Sequence, residues 1–261
     1  INVLQNKNAV TNNGEVPLNK LLQTAIIYND LAISDFLFYK IGQESIKETF
    51  SLLELQSTDL PLPFTGLYIT LHPDLAGRTF TTHFEKLSAL SKDEFREMVL
   101  SNAQQFKTNE EFRGRVTKLF EEQQGLGIGF KERRNILSLF PKSTGQELAD
   151  LMVQLEKNEV ISASVSERVK KIMDWPYQEQ GLNNDFKYYG ALYDNRLGLL
   201  NGIDYGASVY SEEPFGQAVF FDSLQVAFWF HMSSNLMHQD YQQRMMWDPA
   251  LREATLQEIS K

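Results

Sequence analysis

The chain has 261 residues, of which 42% are hydrophobic and 23% are charged, a composition typical of a globular protein rather than a disordered one. This length is enough for one large domain or two small ones with a sizeable core. The net charge of −9 argues against binding to nucleic acid or to anionic membranes, because both need clustered Lys and Arg. The chain has no cysteine, which excludes disulfides, thiolate metal sites and thiol nucleophiles.

The N-terminal third predicts consecutive helices. Apolar residues recur at helical spacing from Leu18 to Ile26, just after Pro17, which is a favoured first-turn residue. A second helix is expected to begin at Asn29 or Asp30, both good N-caps, and to end at Gly42, with a third helix following. The chain opens without an initiator Met or a leader pattern, and we therefore expect a processed or truncated product.

The middle of the chain predicts further helices. Two closely spaced prolines make residues 59–66 a loop. Beyond it, four Ser/Thr-x-x-Glu patterns are typical of capping boxes, in which a hydroxyl accepts from a free amide of the first helical turn. They are Ser91 with Glu94, Thr108 with Glu111, Thr144 with Glu147, and Ser164 with Glu167.

The C-terminal third predicts strands and a closing helix. Aromatic and β-branched runs at Phe186–Tyr193, Tyr205–Tyr210 and Val226–Phe230 are separated by turn residues and favour an antiparallel meander. From about His238 to Ile259 the chain favours a helix kinked at Pro249, where Asp248 can cap a restart. The longest apolar stretch, between residues 219 and 232, contains polar residues and is too short to span a bilayer.

Two segments resemble the walls of a serine β-lactamase active site. Val16–Leu22 leading into Tyr28–Leu31 resembles the helix pair around the Ser-Asp-Asn motif of class A β-lactamases. Ser143–Asp150 resembles the helix that precedes the last strands of that family, and Tyr189–Gly198 lies where the family carries its Lys-Thr-Gly triad. The chain is therefore similar to the superfamily of serine β-lactamases and penicillin-binding proteins.

The resemblance implies a fold and a location. The implied class is α+β, a β-lactamase/transpeptidase-like fold in which a helical region packs on an antiparallel sheet. Residues 1–261 would form a single domain that lacks the family's N-terminal nucleophile segment and carries a helical insertion at about residues 79–141. The family's usual home implies a periplasmic or secreted protein.

The catalytic side chains of the family are missing from these segments. No Ser-x-x-Lys occurs in the chain, although this chemistry needs a base one helical turn from the nucleophile. Asn29 stands where the family has a proton-relaying Ser, and Leu31 replaces the third-position Asn. Leu192 replaces the Lys that would anchor a substrate carboxylate.

These departures imply a catalytically degenerate relative that binds a small-molecule or protein ligand in its cleft without turning it over. Its ligand should be neutral or apolar, and the resemblance implies no catalytic residue, no metal and no cofactor. The ligand-binding residues implied are Tyr28, Asn29, Asp30, Leu31, Tyr189, Ala191, Leu192 and Tyr193.

Two alternatives stay open. The chain could belong to a serine hydrolase that acts through an acyl-enzyme and whose Ser-x-x-Lys lies upstream of Ile1. It could instead be an interaction protein that uses residues 79–141 as its partner-binding arm. No oligomeric state is predicted.

Other signals favour structural interpretations. Gly125–Gly129 follows a charged helical stretch and lacks the pattern of a phosphate loop, which predicts a turn between helices. His231 and His238 lie seven residues apart, and their spacing does not force shared metal ligation. Their neighbours Ser233 and Ser234 lack the Gly-x-Ser-x-Gly elbow of a serine hydrolase.

Overall fold

The computed structural model describes residues 10–27, 30–173, 192–197, 202–208, 215–221, 224–235 and 237–261. Within them the chain forms thirteen α-helices and two short 3₁₀ helices, Asp74–Ala76 and Leu137–Leu139. The α-helices are α1 (Leu18–Ile27), α2 (Leu31–Ile41), α3 (Gln43–Leu52), α4 (Phe64–Leu71), α5 (Phe80–Ser88), α6 (Lys92–Thr108), α7 (Glu110–Gln123), α8 (Phe130–Ile136), α9 (Gly145–Glu156), α10 (Ala163–Met173), α11 (Val226–Ser234), α12 (Met237–Trp247) and α13 (Pro249–Ile259). None of these helices combines the length and apolar character needed to cross a membrane.

The predicted α+β class, a helical region packed on an antiparallel sheet as in β-lactamases, is wrong. Among the residues that the structure describes, the chain is nearly all helical, with 70% helix. Its described strands are three short ones, β1 (Leu192–Leu197), β2 (Gly202–Ser208) and β3 (Phe215–Phe221), with β2 antiparallel to both neighbours. The prediction relied on aromatic and β-branched content, which is a weak guide because packing overrides strand propensity.

The predicted strand Val226–Phe230 shows this override directly, since it forms the first half of α11. A short apolar run fits a buried strand and a buried helix equally well, so periodicity does not separate them. In α11 the half-buried Trp229 and the buried Met232 lie three residues apart and share one helix face. This helix contacts the following helix, α12.

Several predicted helix starts are confirmed by their caps. Asp30 accepts from the Ile33 amide at the start of α2, and Asp248 accepts from two amides at the start of α13. Ser91 and Glu94 form a complete capping box on α6. Thr144 caps α9 by accepting from the Glu147 amide.

Two other predicted starts are wrong. Thr108 is the last residue of α6, and the cap of α7 is Asn109, whose side chain accepts from the Phe112 amide. Helix α10 already begins at Ala163, one residue before Ser164. In both places another polar residue within two positions of the predicted one offered the same hydrogen bond, and the backbone path selected between them.

The chain divides into two compact units. The first comprises residues 1–51 and 59–142, and the second comprises residues 52–58 and 143–261. The segment 79–141, expected to be a helical insertion, contains α5 to α8, and α6 packs against the core helix α4. Its status as an insertion stays a prediction.

Helix α4 forms the centre of the first unit. Leu67 and Leu71 are almost completely buried, and α4 packs closely on α6. The approach is close because Gly66 has no side chain. A Cβ at this position would overlap the Val99 carbonyl oxygen and lie 2.8 Å from the Ala103 Cβ. Gly66 therefore sets the distance between the two helices.

The N-terminus of α4 is capped from another helix. Asp35, a buried residue of α2, accepts from the Phe64 amide at 2.6 Å and from the Thr65 amide at 2.7 Å through its two carboxylate oxygens. A helix N-terminus carries unpaired amides and a partial positive charge, so a carboxylate is its best partner. This contact holds α2 against α4.

The loop before α4 is tied to α6 and to the end of the unit. The Arg96 Nη1 donates to the carbonyls of Leu60, at 3.3 Å, and Pro61, at 3.0 Å. Asp59 pairs with the Lys92 ammonium at 2.9 Å, and its amide donates to the Lys142 carbonyl at 2.7 Å. These bonds fix the path by which the two prolines lead into α4.

The second unit is organised around α9, which packs on β2 and β3. Gly216 in β3 permits this approach, because a Cβ there would lie 2.5 Å from the Ala149 carbonyl oxygen and 2.7 Å from Val153 Cγ2. Near the start of the same helix, Gly145 lies next to the Ala218 carbonyl. Small residues thus line both sides of the contact.

We expect Asp35→Ala to lower the free energy of unfolding by about 3 kcal/mol, because two amides at a buried helix end lose a charged partner. Asp30→Ala removes the solvent-accessible N-cap of α2 and should cost about 1 kcal/mol. Urea unfolding followed by circular dichroism compares the two variants. Equal losses would contradict the role assigned to Asp35.

Candidate functional site

The structure describes four of the eight predicted ligand-binding residues. Asp30 and Leu31 lie at the start of α2. Leu192 and Tyr193 begin β1, where their backbones pair with Ala207 and Gly206 of β2. The other four predicted residues lie outside the described residues, as does the expected pairing of Asn29 with Leu192 across a cleft. They are Tyr28, Asn29, Tyr189 and Ala191.

Asp30 is engaged in holding the start of α2. Its Oδ1 accepts from the Ile33 amide at 2.9 Å, and its carbonyl accepts from the Ser34 hydroxyl at 3.0 Å. A carboxylate engaged as an N-cap stabilises the helix and is not free to act as a base. The next residue, Leu31, is 37% exposed and presents an apolar side chain to solvent.

Helix α2 presents an aromatic face, defined as Ala32, Phe36 and Tyr39. These residues follow the i, i+4, i+7 spacing, which places them along one side of a helix. Phe36 is 55% exposed and Tyr39 is 37% exposed, while Asp35 and Phe38, which come next around the helix beyond Tyr39, are buried. Sequence reasoning missed this face, although the spacing of Phe36 and Tyr39 was the signal that could have found it.

Tyr39 is the polar member of the aromatic face. Burial raises the pKa of Tyr39, and the negative charge of Asp35 raises it further, so the hydroxyl stays protonated at neutral pH. The Lys107 ammonium lies 5.1 Å from the centroid of the Tyr39 ring, within the range of a cation–π contact. The ring of Phe38 meets that of Tyr39 edge-on at 5.6 Å.

Two histidines that are isolated in the sequence come together in the first unit. His72 caps the C-terminus of α4 and is fully buried, with its ring edge-on to Phe120 at 5.0 Å. His83, on α5, has its Nε2 2.7 Å from the Thr70 carbonyl, so this nitrogen donates. Burial lowers the pKa of both imidazoles. At His72 the negative charge of Asp74 partly opposes this lowering of the pKa, and the neighbouring His83 adds to it.

The two buried histidines lower the stability of the fold and do not form a solvent-accessible site. Three ring nitrogens have no hydrogen-bond partner within the described part of the chain. They are both nitrogens of His72 and the Nδ1 of His83. An unpaired buried polar group costs about 1–3 kcal/mol. Both rings are nearly inaccessible to solvent, and a substrate would have to displace the core to reach them.

A hydroxyl–carboxylate chain lies at the start of α9 in the second unit. The Thr58 hydroxyl donates to Glu147 Oε2 at 2.6 Å and lies 2.6 Å from the Ser143 hydroxyl. Since the proton of Thr58 is directed to the carboxylate, Ser143 donates to Thr58. The other oxygen of Glu147 accepts from the amides of Gln56 and Ser57.

This chain is unsuited to activating Ser143 as a nucleophile. The hydrogen bond from Thr58 lowers the pKa of Glu147, and the bond from the Ser57 amide adds to the effect. A carboxylate with a lowered pKa is a poor proton acceptor for a serine hydroxyl. The arrangement instead ties residues 56–58 to α9, which is why Glu147 turns away from the capping box predicted for it.

The two histidines of the C-terminal region lie on different helices. His231, on α11, is exposed and lies 3.2 Å from the Asn235 side-chain nitrogen. His238, on α12, is buried, and burial lowers its pKa although a hydrogen bond to the Met232 backbone partly opposes this. No group of three or more candidate ligand side chains is close enough to hold a metal ion in the part of the chain that the structure describes.

A polar cluster is buried beside His238. The side chain of Gln217 in β3 donates to the backbone carbonyl of Gln242 at 2.7 Å. The side-chain amide of Gln242 has no partner for either its oxygen or its nitrogen among the described residues. Gln242 and His238 lie four residues apart and therefore on one face of α12. The cluster joins β3 to α12 at the cost of buried hydrogen-bonding groups.

No protein-family model matches the chain, and no curated protein is significantly similar to it in sequence. The resemblance to serine β-lactamases therefore stays a prediction from the motif residues, and the architecture expected from it is corrected above.

We expect the free energy of unfolding to fall as pH drops from 6.5 towards 5. In this range the histidines of the unfolded chain bind protons, whereas the buried histidines of the folded chain do not. His72→Leu should remove part of this loss, by up to about 1.4 kcal/mol per pH unit. Urea unfolding at a series of pH values measures the effect, with the exposed His231→Leu as the control. Identical pH profiles for His72→Leu and the parent would contradict the assignment.

Proposed function

We propose that this chain is a non-catalytic binding protein that recognises an apolar ligand or protein segment through the aromatic face of α2. The observation that carries the proposal is the joint exposure of Phe36 and Tyr39, which are neighbours on a helix that Asp35 holds against α4. Exposed aromatic side chains that group together mark interaction sites more often than single exposed apolar residues do.

The neighbourhood of the aromatic face supports binding rather than catalysis. Asp30 is engaged in capping, Leu31 is apolar, and Tyr39 keeps its proton. A polar hydroxyl at the edge of an apolar surface is typical of binding sites, because it orients a ligand without reacting with it. The replacements at Asn29, Leu31 and Leu192 point the same way.

The aromatic pair has a matched control elsewhere in the chain. Leu256 and Ile259 on α13 are also exposed, at 59% and 75%, and are also three residues apart. Replacing either pair with Ser removes two exposed apolar side chains from one helix face. An effect that comes only from replacing exposed apolar side chains with Ser should therefore be equal in the two double variants.

We expect the uncharged apolar dye Nile red to bind saturably to the parent chain, with a rise in fluorescence. The variant Phe36→Ser/Tyr39→Ser should weaken this binding about tenfold, because two aromatic contacts are lost. Leu256→Ser/Ile259→Ser should leave it unchanged. A loss of equal size in both variants would show that the dye does not report on α2.

We also expect no covalent adduct after incubation of the chain with a β-lactam or a fluorophosphonate probe, since no Ser-x-x-Lys is present. Intact-mass measurement detects such an adduct. One probe molecule attached to a serine would replace the binding proposal with a hydrolase.

A further inference from the structure

The aromatic face of α2 is bordered by two lysines. Successive helical residues are turned by about 100°, which places Tyr39, Ala32, Phe36 and Lys40 in this order across a sector of about 100°. Lys40 therefore borders the face beside Phe36. On the other border, Lys107 of α6 lies over the Tyr39 ring, 5.1 Å from its centroid.

The two ammonium groups are available to a partner. Both lysines are exposed, and neither has an ion-pair partner within 4.0 Å among the residues that the structure describes. The chain as a whole carries a net charge of −9, so a pair of cations around an apolar surface contrasts with the rest of the molecule. An arrangement of this kind favours partners that are apolar in the centre and anionic at the edges.

We propose that the aromatic face docks an amphipathic helical segment of a partner protein, with apolar side chains on Phe36 and Tyr39 and carboxylates beside Lys40 and Lys107. This inference rests on the proposed function and names the chemistry of the partner. Helix α2 has 11 residues and is therefore about 16 Å long, which matches two to three turns of a docked helix. Helices commonly bind in this way, through anchors at i, i+3 or i+4, and i+7.

The charge pattern separates this partner from the other anionic surfaces. Nucleic acid and anionic membranes present rows of phosphates, which bind through many cations acting together. Two lysines in a chain of net charge −9 supply too little attraction for such surfaces. Single carboxylates at the ends of an apolar contact need only the two ammonium groups present.

The test uses two designed helical peptides that carry the same leucines at i, i+4 and i+7. One is flanked by Glu and the other by Lys, and both carry a fluorescein label. Fluorescence anisotropy in 25 mM NaCl should show roughly threefold to tenfold tighter binding of the Glu peptide, because exposed ion pairs contribute modestly. The preference should shrink in 300 mM NaCl, since salt screens exposed charges.

Charge-reversal variants identify the surface. Lys40→Glu/Lys107→Glu should lose the preference for the Glu peptide or reverse it. Lys86→Glu/Lys131→Glu makes the same change of net charge at exposed positions on α5 and α8 and should keep the preference. If both variants behave alike, the two lysines do not recognise the charge of the partner and the inference is overturned.

Two further outcomes separate this inference from the proposed function. If Nile red binding depends on Phe36 and Tyr39 but neither peptide binds above background, the face binds apolar ligands and the partner chemistry is wrong. If the chain sediments with phosphatidylserine-containing vesicles through Lys40 and Lys107 in preference to the Glu peptide, the occupant is a membrane and the inference is overturned.

Discussion

The contact between the Asp35 carboxylate and the N-terminus of α4 is the interaction on which the first unit depends. Helix α4 is short and almost fully buried, so its free amides have no water to pair with, and the two oxygens of Asp35 satisfy them directly. The same contact orients α2. Asp35 and Phe38 face inward, whereas Phe36, about 100° from Asp35 around the helix, faces solvent. Tyr39 lies one turn after Asp35, at the margin between the buried and the exposed side. A structural cap thus decides which side of α2 a ligand can reach.

Close packing around α4 explains why the unit tolerates costly polar groups in its interior. Gly66 brings α4 so near to α6 that there is little room for side chains to rearrange. His72, at the C-terminal end of α4, and His83, on α5, are buried without full hydrogen bonding. Such groups are retained only where the surrounding structure outweighs their cost. Their lowered pKa values make this part of the core sensitive to acid.

The polar groups of the molecule divide by accessibility into structural and interaction roles. The Thr58–Glu147 chain, the histidine pair and the glutamine cluster all hold segments together, and each is either buried or engaged in several hydrogen bonds. The aromatic face of α2 differs because its aromatic rings and its bordering lysines are exposed to solvent. This difference is the reason that the binding proposal rests on α2 and not on the residues with the most unusual pKa values.

The sequence alone determined most helices of the first unit, because caps such as Asp30 and Ser91 and the apolar spacing of α1 and α2 act locally. It did not determine the fold class, since the run Val226–Phe230 fits a strand or a helix by its sequence and is helical in the structure. The approach of His72 to His83 and the clamp of Asp35 on α4 also depend on residues far apart in the chain. Tertiary structure therefore decided the candidate site: the sequence places Phe36 and Tyr39 close together on α2, but only the packing of α2 on α4 decides which residues of the helix stay exposed.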